Sequence, residues 1–151
     1  PVISANEMLL AALESAQKAD VFIATAAVAD YRAASVAEGK IKSSDEVLTI
    51  KLEKNPDIVS TVASTNESLF VVGFAAESAN VENYAKGKLK TKSLNAIIAN
   101  DISRPDIGFN SDENEVSWID DDSTISFSKR SKAQLGRDLI AQIACKYNDQ
   151  N

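Results

Sequence analysis

Histidine is absent from the 151-residue chain. That absence removes Ser-His-Asp and Cys-His catalysis and every His-ligated metal site. Cysteine is almost as scarce. Cys145 stands alone, so no intrachain disulfide can form. It falls in an apolar helical pattern and reads as core filler rather than a reactive thiol. Positive charge is in deficit: the formal net charge is −6, and a duplex-binding surface needs clustered Lys and Arg. Nucleic acid is therefore not expected as a partner. No apolar run approaches the roughly 20 residues that cross a bilayer, and no secretory leader pattern is visible, so no membrane partner is expected either. A lone thiol and no leader fit a reducing, cytoplasmic setting. The chemistry that remains belongs to Lys, Arg, Asp, Glu, Asn, Tyr, hydroxyls, backbone amides or a bound cation.

What is present reads as a single domain with a real core. The chain is organised around Val21 to Arg32. Val21 to Ala24 is an apolar run without alternation, the pattern of a central strand covered on both faces. Small residues, Ala24, Thr25, Ala26 and Ala27, follow, and then Asp30, Tyr31 and Arg32. In open α/β sheets ligands sit outside the carboxyl ends of the strands. Small side chains there admit a ligand to the backbone, and a carboxylate there can bind a sugar hydroxyl. A buried strand leaving through a polar loop is the plainer alternative.

Upstream, Ser4-Ala-Asn-Glu7 is a capping box opening a helix to about Ala19 that buries Met8, Leu9, Ala12, Leu13 and Ala16. This helix–strand order suits a doubly wound sheet whose first unit lies before Pro1. Arg32 to Asp45 reads as a long loop. In it Lys40 and Lys42 flank one apolar residue, so an extended backbone points both the same way, toward phosphates or simply toward solvent. Val47 to Leu52 alternates as a strand does. Asn55-Pro56-Asp57 reads as a helix start, with Asn55 as N-cap, and its free amides suit an anion or a polar ring edge as well as ordinary capping. Leu69 to Phe74 is a second buried strand, ending in small residues around Phe74, which either packs on a planar ligand or fills the core. Glu77 either holds a cation or caps the next helix.

Val81 to Thr91 reads as a helix packed through Val81, Tyr84, Ala85 and Leu89. Its end, Lys86 to Lys92, has four lysines in seven residues, and Lys88 and Lys92 share a face. They complement the helix dipole, or they form a local positive patch for a small polyanion. Leu94 to Ala99 is a third buried strand. Val116–Ile119 and Thr124–Ser128 form a hairpin around Asp120-Asp-Asp-Ser123, an acidic turn rather than a cation site. Ser131 to Gln134 is a second capping box. It opens a closing helix to about Tyr147 with Leu135, Leu139, Ile140, Ile143 and Ala144 as its buried stripe.

Taken in order, Ala26-Ala-Val-Ala-Asp-Tyr-Arg32, Lys40-Ile-Lys42, Lys54-Asn-Pro-Asp-Ile58, Val72-Gly-Phe-Ala-Ala-Glu77, Tyr84-Ala85 with Lys88 and Lys92, Ala99-Asn-Asp101 and Gly108-Phe-Asn-Ser-Asp112 cover nearly the whole chain. Together they resemble the bacterial phosphopantothenoylcysteine synthetases, usually the C-terminal half of the bifunctional coenzyme A biosynthesis protein. The resemblance implies an α/β, Rossmann-like three-layer sandwich with a mostly parallel sheet and a C-terminal β-hairpin plus helix. It implies a dimeric ligase that joins 4′-phosphopantothenate to L-cysteine with CTP and Mg2+, through an acyl-cytidylate. On this chain, Ala24, Thr25 and Ala26 would line the nucleotide site and Asp30 would hold the ribose. Lys40 would contact the triphosphate and help form the acyl-cytidylate. Pro56, Asp57, Ile58 and Val59 would meet the cytosine, with Phe74, Lys88 and Lys92 adding contacts. The resemblance identifies no metal ligands.

Ser43 departs from the pattern, since the family often has a further lysine there. The family's glycine-rich phosphate loop and its Asn-His-Ser-Ser-Gly segment have no counterpart here, nor has the FMN-dependent decarboxylase domain. The chain is thus expected to be the C-terminal portion of the ligase domain and, alone, inactive or nearly so. A non-catalytic Rossmann-like nucleotide-binding module is the alternative.

Overall fold

The structure is a computed structural model and describes residues 1–41, 47–103 and 111–150. Helix α1 (Ala5–Ala16) starts where the capping pattern places it. The Ser4 hydroxyl accepts the Glu7 amide at 3.2 Å, and the Glu7 carboxylate reaches back to the Ile3 amide at 2.8 Å. The helix stops three residues earlier than its pattern predicts. Its stripe is only half-buried apart from Ala16, although Met8, Leu9, Ala12 and Leu13 do pack on the core.

Strands β1 (Val21–Ala24), β4 (Phe70–Glu77) and β5 (Ala96–Asp101) run parallel, and β6 (Glu113–Asp120) and β7 (Thr124–Ser131) continue the sheet antiparallel, in the order β1-β4-β5-β6-β7. Helices α1, α2 (Ile58–Thr65) and α3 (Val81–Thr91) lie over one core; α4 (Lys132–Gln150) lies over the other. The expected three-layer α/β sandwich is therefore present. Residues of β4 divide between the two cores, Val71 and Ala75 to one and Phe70 and Val72 to the other, which is why its sequence shows no alternation.

Gly73 on β4 has a packing reason. A Cβ there would stand 2.8 Å from Leu94 Cδ1. Leu94 is held in that place by the end of α3. Its amide donates to the Leu89 carbonyl at 3.0 Å and the Ser93 amide to the Lys90 carbonyl at 3.3 Å, a Schellman closure with Ser93 at φ 55° where glycine is usual.

Several expectations need correction. Among the described residues Val21–Ala24 does not take the central place expected of it. Among the described residues it pairs only with β4, and it is half-buried at the sheet's edge. Its apolar run marks two apolar flanks, not two paired edges. Val47 to Leu52 is not a strand either: only β3 (Leu52–Lys54) pairs, antiparallel to β2 (Tyr31–Ala33), and Val47, Leu48 and Ile50 are exposed. Alternation there has no core to face. Tyr84, Ile140, Ala144 and Cys145 all lie exposed, because the helices present wider apolar stripes than the sheet covers. Cys145 is thus not core filler. Lys42 and the Gly108–Asn110 part of the last motif lie outside the described residues.

Candidate functional site

The carboxyl ends of β1, β4 and β5 open at one rim of the sheet. There the chain leaves β1 through Thr25–Asp30, and the segment is tied down by Asn55. The Asn55 side-chain amide donates to the Ala29 carbonyl at 2.8 Å, and its backbone amide donates to the Asp30 carbonyl at 2.8 Å. Arg32 in turn donates to Asn55 Oδ1 at 3.0 Å while pairing with Glu53 at 2.8 Å. Asn55 is therefore not the N-cap of α2. Asp57 takes that role, its Oδ1 accepting the Ser60 amide at 3.1 Å. The helix start thus faces the loop after β1 across a narrow gap, with the first-turn amides of Ile58 and Val59 ahead of the intrahelical ladder.

That gap is a cavity of about 230 Å3. Ala24, Ala26 and Asp30 line one side, Pro56, Asp57, Ile58 and Val59 the other, and Phe74 and Lys92 close it. A larger hollow of about 460 Å3 adjoins it, sharing Ala26, Val28 and Phe74; Thr25 and Lys88 line this second space. The fold therefore brings together every expected nucleotide residue except one. Lys40 is exposed and lines neither hollow.

The cations at the rim are paired. Lys92 Nζ meets Asp57 Oδ2 at 3.0 Å, and Lys88 Nζ meets Glu77 Oε1 at 2.5 Å. Glu77 therefore holds an ammonium. Partial burial acts to raise the Asp57 pKa, but the Ser60 amide and Lys92 outweigh it and leave the carboxyl below its ordinary value. Lys88, Lys92 and Asp57 are partly exposed while Glu77 is largely covered, so an entering phosphate can take over the Lys92 ammonium at modest cost. Phe74, 38% exposed, offers part of its ring to the cavities rather than to the core. Such an arrangement suits a nucleotide: a flat wall, a helix N-terminus and a carboxylate beside small residues, with ammonium groups at the mouth.

Sequence reasoning missed Val28, Ala29, Lys54 and Asn55 in the smaller cavity and Asn100, Asn114 and Lys132 in the larger. Lys54 and Asn55 belong to a motif already singled out. Asn114 and Lys132 carry no local signal. The triple-aspartate turn is indeed structural: Asp120 Oδ1 accepts the Asp122 and Ser123 amides at 3.0 and 2.6 Å. Among the described residues no group of three His, Cys, Asp or Glu side chains is placed to hold a metal, and no helix is long and apolar enough to cross a membrane.

The family described as DNA/pantothenate metabolism flavoprotein C-terminal domain matches residues 1–146. The chain is 49% identical over 147 residues to the Coenzyme A biosynthesis bifunctional protein CoaBC of Haemophilus influenzae, covering 97% of this chain and 36% of that protein. It is 46% identical over 156 residues to the protein of the same name from Escherichia coli K12, covering 99% and 38%. A crystal structure of the C-terminal domain of Coenzyme A biosynthesis bifunctional protein CoaBC superposes with a TM-score of 0.78 at 35% identity, covering 98% of this chain and 65% of that one. The chain thus spans a little over a third of the length of the curated relatives it matches.

Proposed function

We propose that this chain, which belongs to the DNA/pantothenate metabolism flavoprotein C-terminal domain family, supplies the nucleotide-holding part of a CTP-dependent phosphopantothenate–cysteine ligase of coenzyme A biosynthesis. The observation that carries the proposal is the shared hollow. Asp30, the Pro56–Val59 helix start, Phe74 and Lys92 come from four separate stretches and line one cavity. In the proposed reaction a carboxylate oxygen of 4′-phosphopantothenate attacks the α-phosphorus of CTP, and the bond to pyrophosphate breaks. The L-cysteine amine then attacks the acyl carbon, loses a proton and releases CMP. No histidine is required, because the charge that builds on phosphate oxygens is met by fixed cations and backbone amides.

Within this reading Asp30 accepts from the ribose, and the amides at the start of α2 meet the polar edge of cytosine. Phe74 packs on the nucleotide, and Lys88 and Lys92 exchange their carboxylates for phosphate oxygens. Lys40 comes to the triphosphate from the loop after β2. A Mg2+ ion bound with the triphosphate would neutralise charge on its oxygens, and no cluster of three acidic side chains among the described residues is placed to hold it. FMN has no role in this chain. The working site lies in the cytoplasm.

The chain is the C-terminal portion of the ligase domain, and alone it turns over little or not at all. Two features support this. The outer edge of β1 has no partner among the described residues, and apolar grooves of about 340 and 370 Å3 flank the strand on its two faces. A homodimer is the expected assembly, supported by the exposed Val28, Tyr31, Val47, Leu48, Ile50 and Leu52 along one stretch.

A second reading, a nucleotide-binding module without catalysis, draws on the position of Lys40 outside both hollows. Lys40→Ala in the full-length protein separates the two. The ligase reading expects pyrophosphate release from CTP and 4′-phosphopantothenate to fall by at least a hundredfold. An unchanged rate removes Lys40 from the mechanism, and no turnover by the unaltered protein favours the module.

A further inference from the structure

The larger hollow holds a group that the nucleotide does not explain. Asn100, at the end of β5, is 6% exposed, and its Oδ1 is the one buried side-chain polar atom without a hydrogen-bond partner among the described residues. Buried amide oxygens are nearly always satisfied, and leaving one unpaired is costly. Its neighbour Asn114, equally buried, shows the contrast: Asn114 Oδ1 accepts the Glu115 amide at 3.0 Å. Both side chains line the same space.

We propose that Asn100 is a specificity-determining residue for the acid substrate, its Oδ1 accepting a hydrogen bond from an amide N–H or hydroxyl of that molecule. The inference rests on the ligase reading above. An acid whose carboxylate must reach the α-phosphorus has to bind in a space continuous with the nucleotide's, and this hollow shares Ala26, Val28 and Phe74 with the nucleotide cavity. At about 460 Å3 it is larger than a single amino acid needs and suits an extended small molecule. Its chemistry is divided accordingly. Lys132 stands on its lining as a partner for an anionic group and makes no ion pair among the described residues, while Lys88, also on the lining, serves the nucleotide's phosphates. Asn100 Oδ1 can only accept, so it reads neither carboxylate nor phosphate, but a donor between them. The acid thus lies in the hollow lined by Lys132 of α4, and the base in the one lined by the start of α2, with Phe74 on both.

The test uses the full-length protein and varies the three substrates separately. In Asn100→Leu the KM for 4′-phosphopantothenate rises about tenfold, the loss of one buried hydrogen bond to substrate. The KM values for CTP and L-cysteine stay within about twofold, and the melting temperature does not fall, because the variant removes an unsatisfied acceptor rather than a structural contact. Asn100→Asp keeps the acceptor and recovers at least part of the loss. An unchanged acid KM in Asn100→Leu, a common rise in all three KM values, or no recovery in Asn100→Asp each overturns the inference. If the unaltered protein releases no pyrophosphate from CTP, the ligase reading fails first; if it does and the acid KM is unmoved, this inference fails alone.

Discussion

Asp57 and Asp120 carry the same carboxylate and the same kind of partner, a lysine ammonium at 3.0 Å. Asp57 caps the start of α2 and Asp120 ends β6, and their surroundings differ. Asp120 is 9% exposed and accepts from the Trp118 ring N–H at 2.7 Å, from two backbone amides and from the Ser123 hydroxyl, besides Lys146. Burial alone would raise its pKa; these donors bring it down to about 2. Asp57 has one backbone donor and Lys92, and both members of that pair are partly exposed. The first pair is frame: it holds the β6–β7 turn to α4, and breaking it would strand buried partners. The second stands on a cavity wall, where its ammonium can change partners cheaply. Donor count and burial, not residue type, separate a carboxylate that shapes the fold from one left partly open on a cavity wall.

The comparison can be broken most forcefully at Trp118, the largest fully buried side chain. Trp118→Ala should cost about 3–5 kcal/mol in denaturant unfolding, while CTP affinity of the protein that remains folded stays the same. Next comes acid. The Asp120 carboxyl titrates lower in the folded chain, about 2, than its ordinary 3.8, so its contribution is complete above pH 4 or so and is lost as the pH falls toward 2. The loss should be about 2 kcal/mol, and Asp120→Asn should flatten that part of the stability–pH curve. At the other carboxylate, Lys92→Ala should cost about 1 kcal/mol or less in stability but raise the KM for CTP roughly tenfold in the full-length protein. A denaturation loss as large as that at Asp120 would erase the distinction. Smallest is Ser93→Gly, which relieves a left-handed serine at the end of α3 and should add about 0.5–1 kcal/mol without moving CTP affinity.

Much of this was legible along the chain. Ser4 and Ser131 announced two helix starts, and Ser131 does accept the Gln134 amide. The residues expected around the nucleotide, apart from Lys40, converge because parallel strands open their carboxyl ends at one rim. The misreadings share a cause: local pattern reports a side chain's preference, not what the fold has available to cover it. Val21–Ala24 is apolar enough for a central strand yet ends the row of described strands, and Ile140 and Ala144 continue an apolar stripe but stay exposed. Asn55 looked like a cap, but its amide is spent on Ala29, a contact 26 residues distant that no spacing rule foretells. Asn100 stood in the Ala99-Asn-Asp101 run with no role attached, since an orphaned oxygen is visible only once its neighbours are in place.

The central claim is that CTP occupies the hollow between the loop after β1 and the start of α2. A crystal structure of the full-length protein with CTP bound tests it directly. The account predicts the ribose at Asp30, the cytosine edge on the Ile58 and Val59 amides, Phe74 against the nucleotide and Lys92 turned from Asp57 toward phosphate. A nucleotide seated elsewhere, with the Asp57–Lys92 pair intact, would contradict it.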